Sequence, residues 1–284
     1  MKFTYLTLFP EIIESFFQNS IMKRAVENGL IDYTILQIRD FAQDGPYHAC
    51  DDTTYGGGAG MLLKSGPLAR ALDSADAGQK FCIYPSPGGY PMQQKIAAAL
   101  SRLGQLENNE FLSCLKNSAN FLRDFNSQKI SDKSLIQNKI DREIIFICGR
   151  YEGIDQRIVD EYVDLELSIG DYVLSSGELS SLCLTDSIYR LCDGVINQES
   201  LASESFSAAL LEYPQYTRPE YSCGRRVPEI LLSGHHENIR LWRLEQSVKR
   251  TLARRPELLQ QALKAGDLDR ETLKILQVLQ QNDH

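Results

Sequence analysis

"IIFICGRYEGID" (144–155) is the stretch on which the reading of this chain turns. Four apolar residues run into Cys148, and then Gly149 and Gly153 bracket Arg150, Tyr151 and Glu152. An unbroken apolar run that stops at glycine reads as a strand buried on both faces. The loop that ends it carries one cation, one aromatic ring and one anion. In an open α/β sheet, ligands bind just beyond the carboxyl ends of the strands, and glycine lets a ligand approach the backbone. The stretch therefore predicts a parallel-sheet strand that delivers a binding loop.

The same design recurs on either side. "KFTYLTL" (2–8), "YTILQI" (33–38), "FCIYP" (81–85) and "VDLELSI" (163–169) read as further strands. Helical periodicity appears at 11–28, 91–103, 154–162 and 178–191, with Pro10 in the first turn of the first helix. This alternation predicts an α/β domain with a largely parallel sheet. "YPSPGGYP" (84–91) reads as a loop after the strand at 81, and "LSIGDYVLSSGE" (167–178) as a loop leading into a helix. Three strand-end loops rich in Gly and Pro offer the backbone donors and acceptors that a cradle for an adenosine-like group needs. By spacing alone, three ordinary glycine turns explain them equally well, and none matches G-x-G-x-x-G. "DDTTYGGGAGMLLKS" (51–65) fails the phosphate-loop test because Leu63, not Gly, precedes Lys64-Ser65. A mobile lid is expected there instead.

Residues 107–140 interrupt the rhythm and read as an insertion with one amphipathic helix carrying Phe111, Leu115 and Leu122. After Gly194 the composition shifts. Residues 196–221 read as a linker with a short helix, and everything from 234 onward as helical. There Ile239, Trp242, Val248 and Leu252 are expected to face a core, with Arg243, Arg250 and Arg254 on one helix face. The expected domains are 1–196, a linker at 197–213, and a helical domain at 214–284.

The net charge of −8 over 284 residues is uneven. Residues 1–214 hold 18 Lys+Arg against 29 Asp+Glu, or −11, and residues 215–284 hold 12 against 9, or +3. Within 215–255 the balance is 9 against 4, or +5, a weak footprint for nucleic acid that a solvated helix face explains equally well. The seven cysteines are odd in number and form no C-x-x-C, so neither a disulfide framework nor a zinc site is expected. No apolar run reaches the roughly 20 residues of a membrane helix, and the start lacks the pattern of a signal peptide. A cytoplasmic protein is expected.

Together "YGGGAGM" (55–61), "CGRYEGID" (148–155), "SIGDYVLSSGEL" (168–179), "YPQYTRP" (213–219) and "VPEILLSGHHENIRLWRLEQS" (227–247) resemble the tRNA (guanine-37-N1)-methyltransferases, the TrmD family of the SPOUT superfamily. The motifs occur in the family's order and cover nearly all of the chain except 107–140. The resemblance implies an α/β SPOUT domain with a deep C-terminal trefoil knot, plus a small all-helical C-terminal domain. It implies S-adenosylmethionine as cofactor, and a homodimer with each active site at the subunit interface. The substrate it implies is the tRNA anticodon stem-loop, methylated at N1 of the guanine 3′ of the anticodon. Mg²⁺ is reported to assist the family's chemistry, although no motif here forms a dedicated metal site.

Residue by residue, the resemblance assigns cofactor contacts to Pro87 and Gly89 in the first loop, and to Gly149, Tyr151, Glu152 and Gly153 in the second. In the third it assigns Ile169, Gly170, Asp171, Tyr172, Val173, Leu174 and Gly177, although Ile169 and Leu174 also read as plain core. The family's catalytic aspartate position is held by Glu204, and its arginine by Arg190. Tyr216, Arg218, Arg243, Arg250 and Arg254 become candidate tRNA contacts. Glu204 departs from the family by one methylene. Thr53-Thr54, Ser176 and Ser180 also depart from its usual residues. These departures leave two other readings open: a non-catalytic tRNA-binding protein, and a methyltransferase acting on another RNA.

Overall fold

The computed structural model describes residues 1–43, 48–105, 142–197, 204–206 and 209–282. The insertion expected at 107–140, with its helix, lies outside the described residues, as does part of the linker expected at 197–213. The chain divides into two compact units, Met1–Ile196 and Asn197–His284.

In chain order the first unit runs β1 (Lys2–Thr7), α1 (Pro10–Phe17), α2 (Ser20–Glu27), β2 (Asp32–Gln37), β3 (Asp51–Thr53), β4 (Met61–Leu63) and α3 (Ser65–Ser74). It continues with β5 (Phe81–Pro91), α4 (Gln94–Ser101), β6 (Glu143–Ile147), α5 (Gln156–Tyr162), β7 (Leu165–Ser168) and α6 (Gly177–Tyr189). Five strands form one parallel sheet in the order β2-β1-β6-β5-β7. β6, the strand of the opening stretch, lies at its centre and is buried along its whole length.

Alternation along the strands separates two cores. Phe3, Tyr5, Ile144, Phe146 and Cys148 pack with Ile13 and Phe17 of α1, Leu100 of α4 and Ile188 of α6. Leu6, Ile145, Ile147 and Cys82 pack with Leu68 and Leu72 of α3 and Ile158 of α5. The result is three layers, helices on both faces of a parallel sheet, as such strands require. Phe146 stacks on Phe3 and Tyr5 with ring centroids 6.3 and 5.5 Å away. The buried Tyr5 hydroxyl lies 2.6 Å from Thr185 Oγ1 of α6, so its polar end is satisfied.

Two local readings need correction. The strand at 81 does not stop at Pro85. β5 continues to Pro91 and pairs with β7 on both sides of a bulge between Pro85 and Tyr90. Prolines lack the N–H that a regular ladder needs, so the strand extrudes Ser86–Gly89 and then resumes. The helix expected over 11–28 is two helices, because Asn19 is extended and its side chain donates to the Ser15 carbonyl (2.7 Å), competing with helix propagation. The segment at 51–65 is an antiparallel hairpin, β3–β4, whose Thr54 hydroxyl donates to the Gly57 carbonyl (3.1 Å).

The second unit holds the short hairpin β8 (Tyr221–Ser222) and β9 (Arg225–Arg226), then α7 (His236–Arg254), α8 (Pro256–Ala265) and α9 (Arg270–Asn282). Its core is Leu210, Val248, Leu259 and Leu276. Pro256 opens α8 and left-handed Gly266 closes it. Leu210 joins this core and the Leu211 N–H donates to Thr251 Oγ1 (2.9 Å), so the end of the expected linker is anchored on α7. Val248 and Leu252 face the core as expected, but Ile239 and Trp242 do not and instead line a concavity. Among the described residues no helix is long and apolar enough to cross a membrane.

At the start of β6, Glu143 is buried and accepts from Thr4 Oγ1 (2.6 Å), with Lys80 at 3.2 Å and Lys2 at 3.4 Å. Burial works against its charge, but the Thr4 hydroxyl and the two ammonium groups outweigh it and hold the carboxyl below its ordinary value of 4.5. A depressed folded-state value stabilises the fold above the unfolded value, and that stability is lost as pH falls through the folded one. Glu143→Gln is expected to cost about 1–3 kcal/mol near neutral pH. It should also flatten the loss of stability below about pH 4.5, as measured by urea unfolding across a pH series.

Candidate functional site

The bulge of β5 and the carboxyl ends of β6 and β7 surround a cavity of about 270 Å³ in the first unit. The segment after β6 is fixed first. The Gly177 N–H at the start of α6 donates to the Gly149 carbonyl (2.7 Å), and Arg150 pairs with Ser176 in an antiparallel bridge. A Cβ on Gly177 would lie 2.6 Å from Gly149 N and 2.9 Å from Cys148 Cα. A Cβ on Gly149 would lie 2.8 Å from the Tyr84 ring. Glycine is required at both positions because backbone and ring occupy the space of a side chain.

The loop then turns sharply. Gly153 N–H donates to the Arg150 carbonyl (3.1 Å), and Tyr151 adopts φ +59°, a left-handed conformation unusual for an aromatic residue. The β3–β4 hairpin edges this loop, with Glu152 N–H donating to the Met61 carbonyl (3.0 Å) and Leu63 N–H to the Gly153 carbonyl (3.0 Å). The guanidinium of Arg150 stacks 4.6 Å over the Phe9 ring. Next to Gly177, the fully buried Glu178 accepts from Thr7 Oγ1 (2.6 Å), and Thr7 Oγ1 accepts from the Phe9 N–H (2.9 Å). Glu178 Oε2 has no hydrogen-bond partner among the described residues.

From the first loop, Pro87 lines the cavity. From the second, Gly149, Tyr151, Glu152 and Gly153 line it, and from the third Ile169, Gly170, Tyr172, Val173, Leu174 and Gly177. Gly89 and Asp171 are not in the lining. A Cβ on Gly89 would lie 2.6 Å from Leu167 N, so that glycine serves the close pairing of β5 with β7. Asp171 is exposed. Ile169 packs against the sheet core as well as lining the cavity, whereas Leu174 is 37% exposed and is not core.

Sequence reasoning missed Tyr84, Arg150, Ser168 and Ser180, which also line the cavity. Tyr84, Arg150 and Ser168 lie inside quoted motifs, and their place where an expected strand meets its loop is the signal that would have found them. Burial, then Glu166, pushes the Tyr84 hydroxyl up to about 12, so it stays protonated. Glu166 itself accepts from Ser86 Oγ (2.8 Å), tying the bulge to β7. Ser176 is extended, with φ −165°, a backbone conformation that any side chain accommodates. Ser180 Oγ donates to the Gly177 carbonyl (3.0 Å) within the first turn of α6.

Arg190 caps the C-terminus of α6 and is half-buried. Glu204 belongs to the second unit and is also half-buried. In that unit Tyr216, Arg218 and Arg243 line a separate concavity of about 890 Å³, and Arg243 stacks 4.9 Å over Tyr213. Arg250 donates to the Glu212 carbonyl (3.4 Å), and Arg254 is exposed. Of the basic residues in 215–255, Arg226, Arg240, Lys249 and Arg255 are held by carboxylates. Arg218, Arg225, Arg243, Arg250 and Arg254 form no ion pair among the described residues.

The family profile described as "tRNA (Guanine-1)-methyltransferase TrmD" matches residues 1–107 and 112–261. A relative from Treponema denticola is 49% identical over 276 residues, covering 97% of this chain and 98% of its own length. One from Borrelia garinii subsp. bavariensis is 46% identical over 260 residues, covering 91% and 92%. One from Treponema pallidum is 44% identical over 279 residues, covering 98% and 96%. All three carry the name tRNA (guanine-N(1)-)-methyltransferase.

Because backbone atoms block the way, Gly177→Ala is expected to destabilise the fold by about 3 kcal/mol, the upper end of overpacking costs. Gly78→Ala, where a Cβ meets nothing within 4 Å, is expected to be neutral. Chemical unfolding of the two variants side by side checks the contrast.

Proposed function

The chain belongs to the tRNA (guanine-1)-methyltransferase family TrmD, and on that premise we propose that it moves a methyl group from S-adenosylmethionine to N1 of the guanine immediately 3′ of the tRNA anticodon. The observation that carries this reading is the cavity bounded by the bulge of β5 and the loops at the carboxyl ends of β6 and β7. Its lining is rich in backbone, with Ile169, Leu174 and Tyr151 as apolar walls and Glu152, Ser168 and Ser180 as polar points. That mixture suits a ligand with a flat heterocycle, a sugar and a charged tail. The residues of the three loops would hold S-adenosylmethionine, which when bound supplies an electrophilic methyl group.

The chain's own residues must then handle a proton and a charge. Guanine N1 bears a proton at neutral pH and is a poor nucleophile until it leaves. Glu204 accepts that proton as general base, a role that typically contributes about 10²–10⁴-fold. Negative charge shifts toward O6 of the guanine as the proton departs, and Arg190 is assigned to stabilise it. Arg190 lies at the opposite end of α6 from the cavity, so it would serve the cavity of a second copy. Tyr216, Arg218, Arg243, Arg250 and Arg254 hold the RNA, the arginines through phosphate contacts that weaken with salt. No residues of this chain are assigned to Mg²⁺.

The strand order β2-β1-β6-β5-β7, with the segment after β7 passing against the end of β6 before α6 begins, supports a knotted SPOUT-type domain. Tyr172, Val173 and Leu174 are 55%, 81% and 37% exposed beside the cavity. An apolar lip of this kind supports a homodimer in which a second copy covers it and completes the active site. A tRNA substrate supports the cytoplasm as the working compartment.

The test is methyl transfer from labelled S-adenosylmethionine to two tRNA transcripts. One carries guanine 3′ of the anticodon, preceded by guanine, and the other adenine at the target position. Label is expected on the guanine transcript alone, with Glu204→Gln lowering the rate about 10²–10⁴-fold. Undiminished transfer by Glu204→Gln would remove Glu204 as the base. Cofactor binding without label on either transcript would point to another RNA, and failure to bind the cofactor to a non-catalytic protein.

A further inference from the structure

We propose that Glu178 is a specificity-determining residue of the cavity at the strand ends. Its buried negative charge favours a cofactor that is cationic at sulfur over the neutral thioether that remains once the methyl group has left. The inference rests on the reading of that cavity as the S-adenosylmethionine site. It goes further by giving a role to a side chain outside the lining and outside the proton chemistry.

The sign of the charge around the cavity poses the problem. α6 begins in the lining, where Ser175, Ser176, Gly177 and Ser180 are found. A helix N-terminus carries roughly half a positive charge, which suits anions. Among the described residues the lining holds one cation and one anion, Arg150 and Glu152, which offset each other formally. The helix end is left in excess, and a sulfonium is poorly placed beside it. Glu178 corrects the sign. It is the second residue of α6, directly after Gly177 of the lining, and it is wholly buried. A charge so placed acts through a medium of low dielectric and is little screened by salt.

The carboxylate is not committed elsewhere. It forms no ion pair among the described residues. Its Oε1 accepts from Thr7 Oγ1 (2.6 Å), and Oε2 has no partner among them. The Phe9 N–H donates to Thr7 Oγ1 (2.9 Å), so the hydroxyl proton is directed at Glu178 and the carboxylate is held in place. The ring of the same Phe9 carries the Arg150 guanidinium at 4.6 Å, so the cation of the lining is fixed by the same segment. The charge is felt at the rim of the cavity. Cys148, just before Gly149, has its thiol pushed up, by burial first and by Glu178 second. A buried carboxylate with an unmatched oxygen costs stability. A cation that arrives with the ligand offsets that cost.

The test reads affinity rather than turnover. The full-length protein is titrated by calorimetry, without tRNA, with three ligands. They are S-adenosylmethionine, S-adenosylhomocysteine, and sinefungin, in which a protonated amine replaces the methylated sulfur centre. In Glu178→Gln the amide oxygen still accepts from Thr7, so the shape is kept and the charge is removed. The preference for S-adenosylmethionine over S-adenosylhomocysteine should fall about tenfold, equivalent to about 1.4 kcal/mol. The preference for sinefungin should fall with it. Thr7→Val removes the hydrogen bond and keeps the charge, so its preference should match that of the unaltered protein. A double variant, Thr7→Val with Glu178→Leu, replaces both partners by apolar groups, a change that can be nearly neutral for stability. It should show the same tenfold fall, and it carries the test if Glu178→Gln folds poorly.

Equal weakening of all three ligands by Glu178→Gln or the double variant would overturn the proposal and assign Glu178 to packing alone. A fall in preference as large in Thr7→Val would also overturn it, since the charge is still present there. Failure of the unaltered protein to bind any of the three would overturn the reading of the cavity, and this inference with it. Binding of all three, with a preference that no variant moves, would overturn this inference and leave that reading standing.

Discussion

The contact between Gly149 and Gly177 is the constraint on which the rest of the first unit depends. Two backbones that are separated in sequence by α5 and β7 meet with no side chain between them. Their hydrogen bond of 2.7 Å brings the end of the central strand to the start of α6. The third loop, which ends at this contact, lines the mouth of the cavity. The neighbouring Glu178 then reaches Thr7 at the end of β1, so three chain segments converge on one point. Burying a carboxyl group with one unmatched oxygen costs of order 1–3 kcal/mol. The fold bears this at the place where its loops are held, which is where local compromises are expected.

Charge is spread unevenly along the chain, and the cationic stretch lies inside the second unit. The acidic balance of 1–214 is set aside from the cationic stretch at 215–255. Within that stretch the ion pairs do the sorting. Arg240 joins Glu237 of α7 to Glu271 of α9 and thereby braces the helices. Arg226 braces the approach to the β8–β9 hairpin through Glu220 and Glu229. These arginines are structural, and the ones left without carboxylates are those able to meet phosphate. A formal charge of +5 thus overstates the number of cations available in one respect and understates their focus in another.

Sequence made the sheet legible because its strands are buried on both faces and leave long apolar runs. β1 and β6 are recognisable from residues alone for that reason. The glycine loops were legible because close approach and sharp turning need glycine. What escaped has a common cause, which is that the deciding partner lies far away in the chain. Gly89 looks like a loop glycine until β7 is placed against it. Ile239 and Trp242 follow helical periodicity into a core, yet the segment 213–219 leaves a concavity in front of them. The β3–β4 hairpin was hidden by its own glycine-rich turn, whose composition signals permissiveness but not pairing. The order of the strands in the sheet leaves no trace in periodicity.

The proposal that Glu204 is the general base, where the family it resembles has aspartate, gains a constraint from the chain that follows it. Glu212 N–H donates to Ser205 Oγ (3.0 Å), and Phe206 N–H donates to the Leu210 carbonyl (2.8 Å). Leu211 is bound to Thr251 in the last turn of α7, and Leu210 is buried in the helical core. The backbone just after Glu204 is therefore tied to a rigid helix. An extra methylene lengthens the reach from Cα by roughly 1.5 Å. With the backbone tied on its C-terminal side, that length is most readily taken up by the side-chain torsions. Glutamate has one more torsion than aspartate, so a carboxylate poised for proton transfer must give up more rotational freedom. The expected signature of the substitution is a loss in the rate of the chemical step rather than in affinity for tRNA, since a proton acceptor contributes in the transition state and little to ground-state binding.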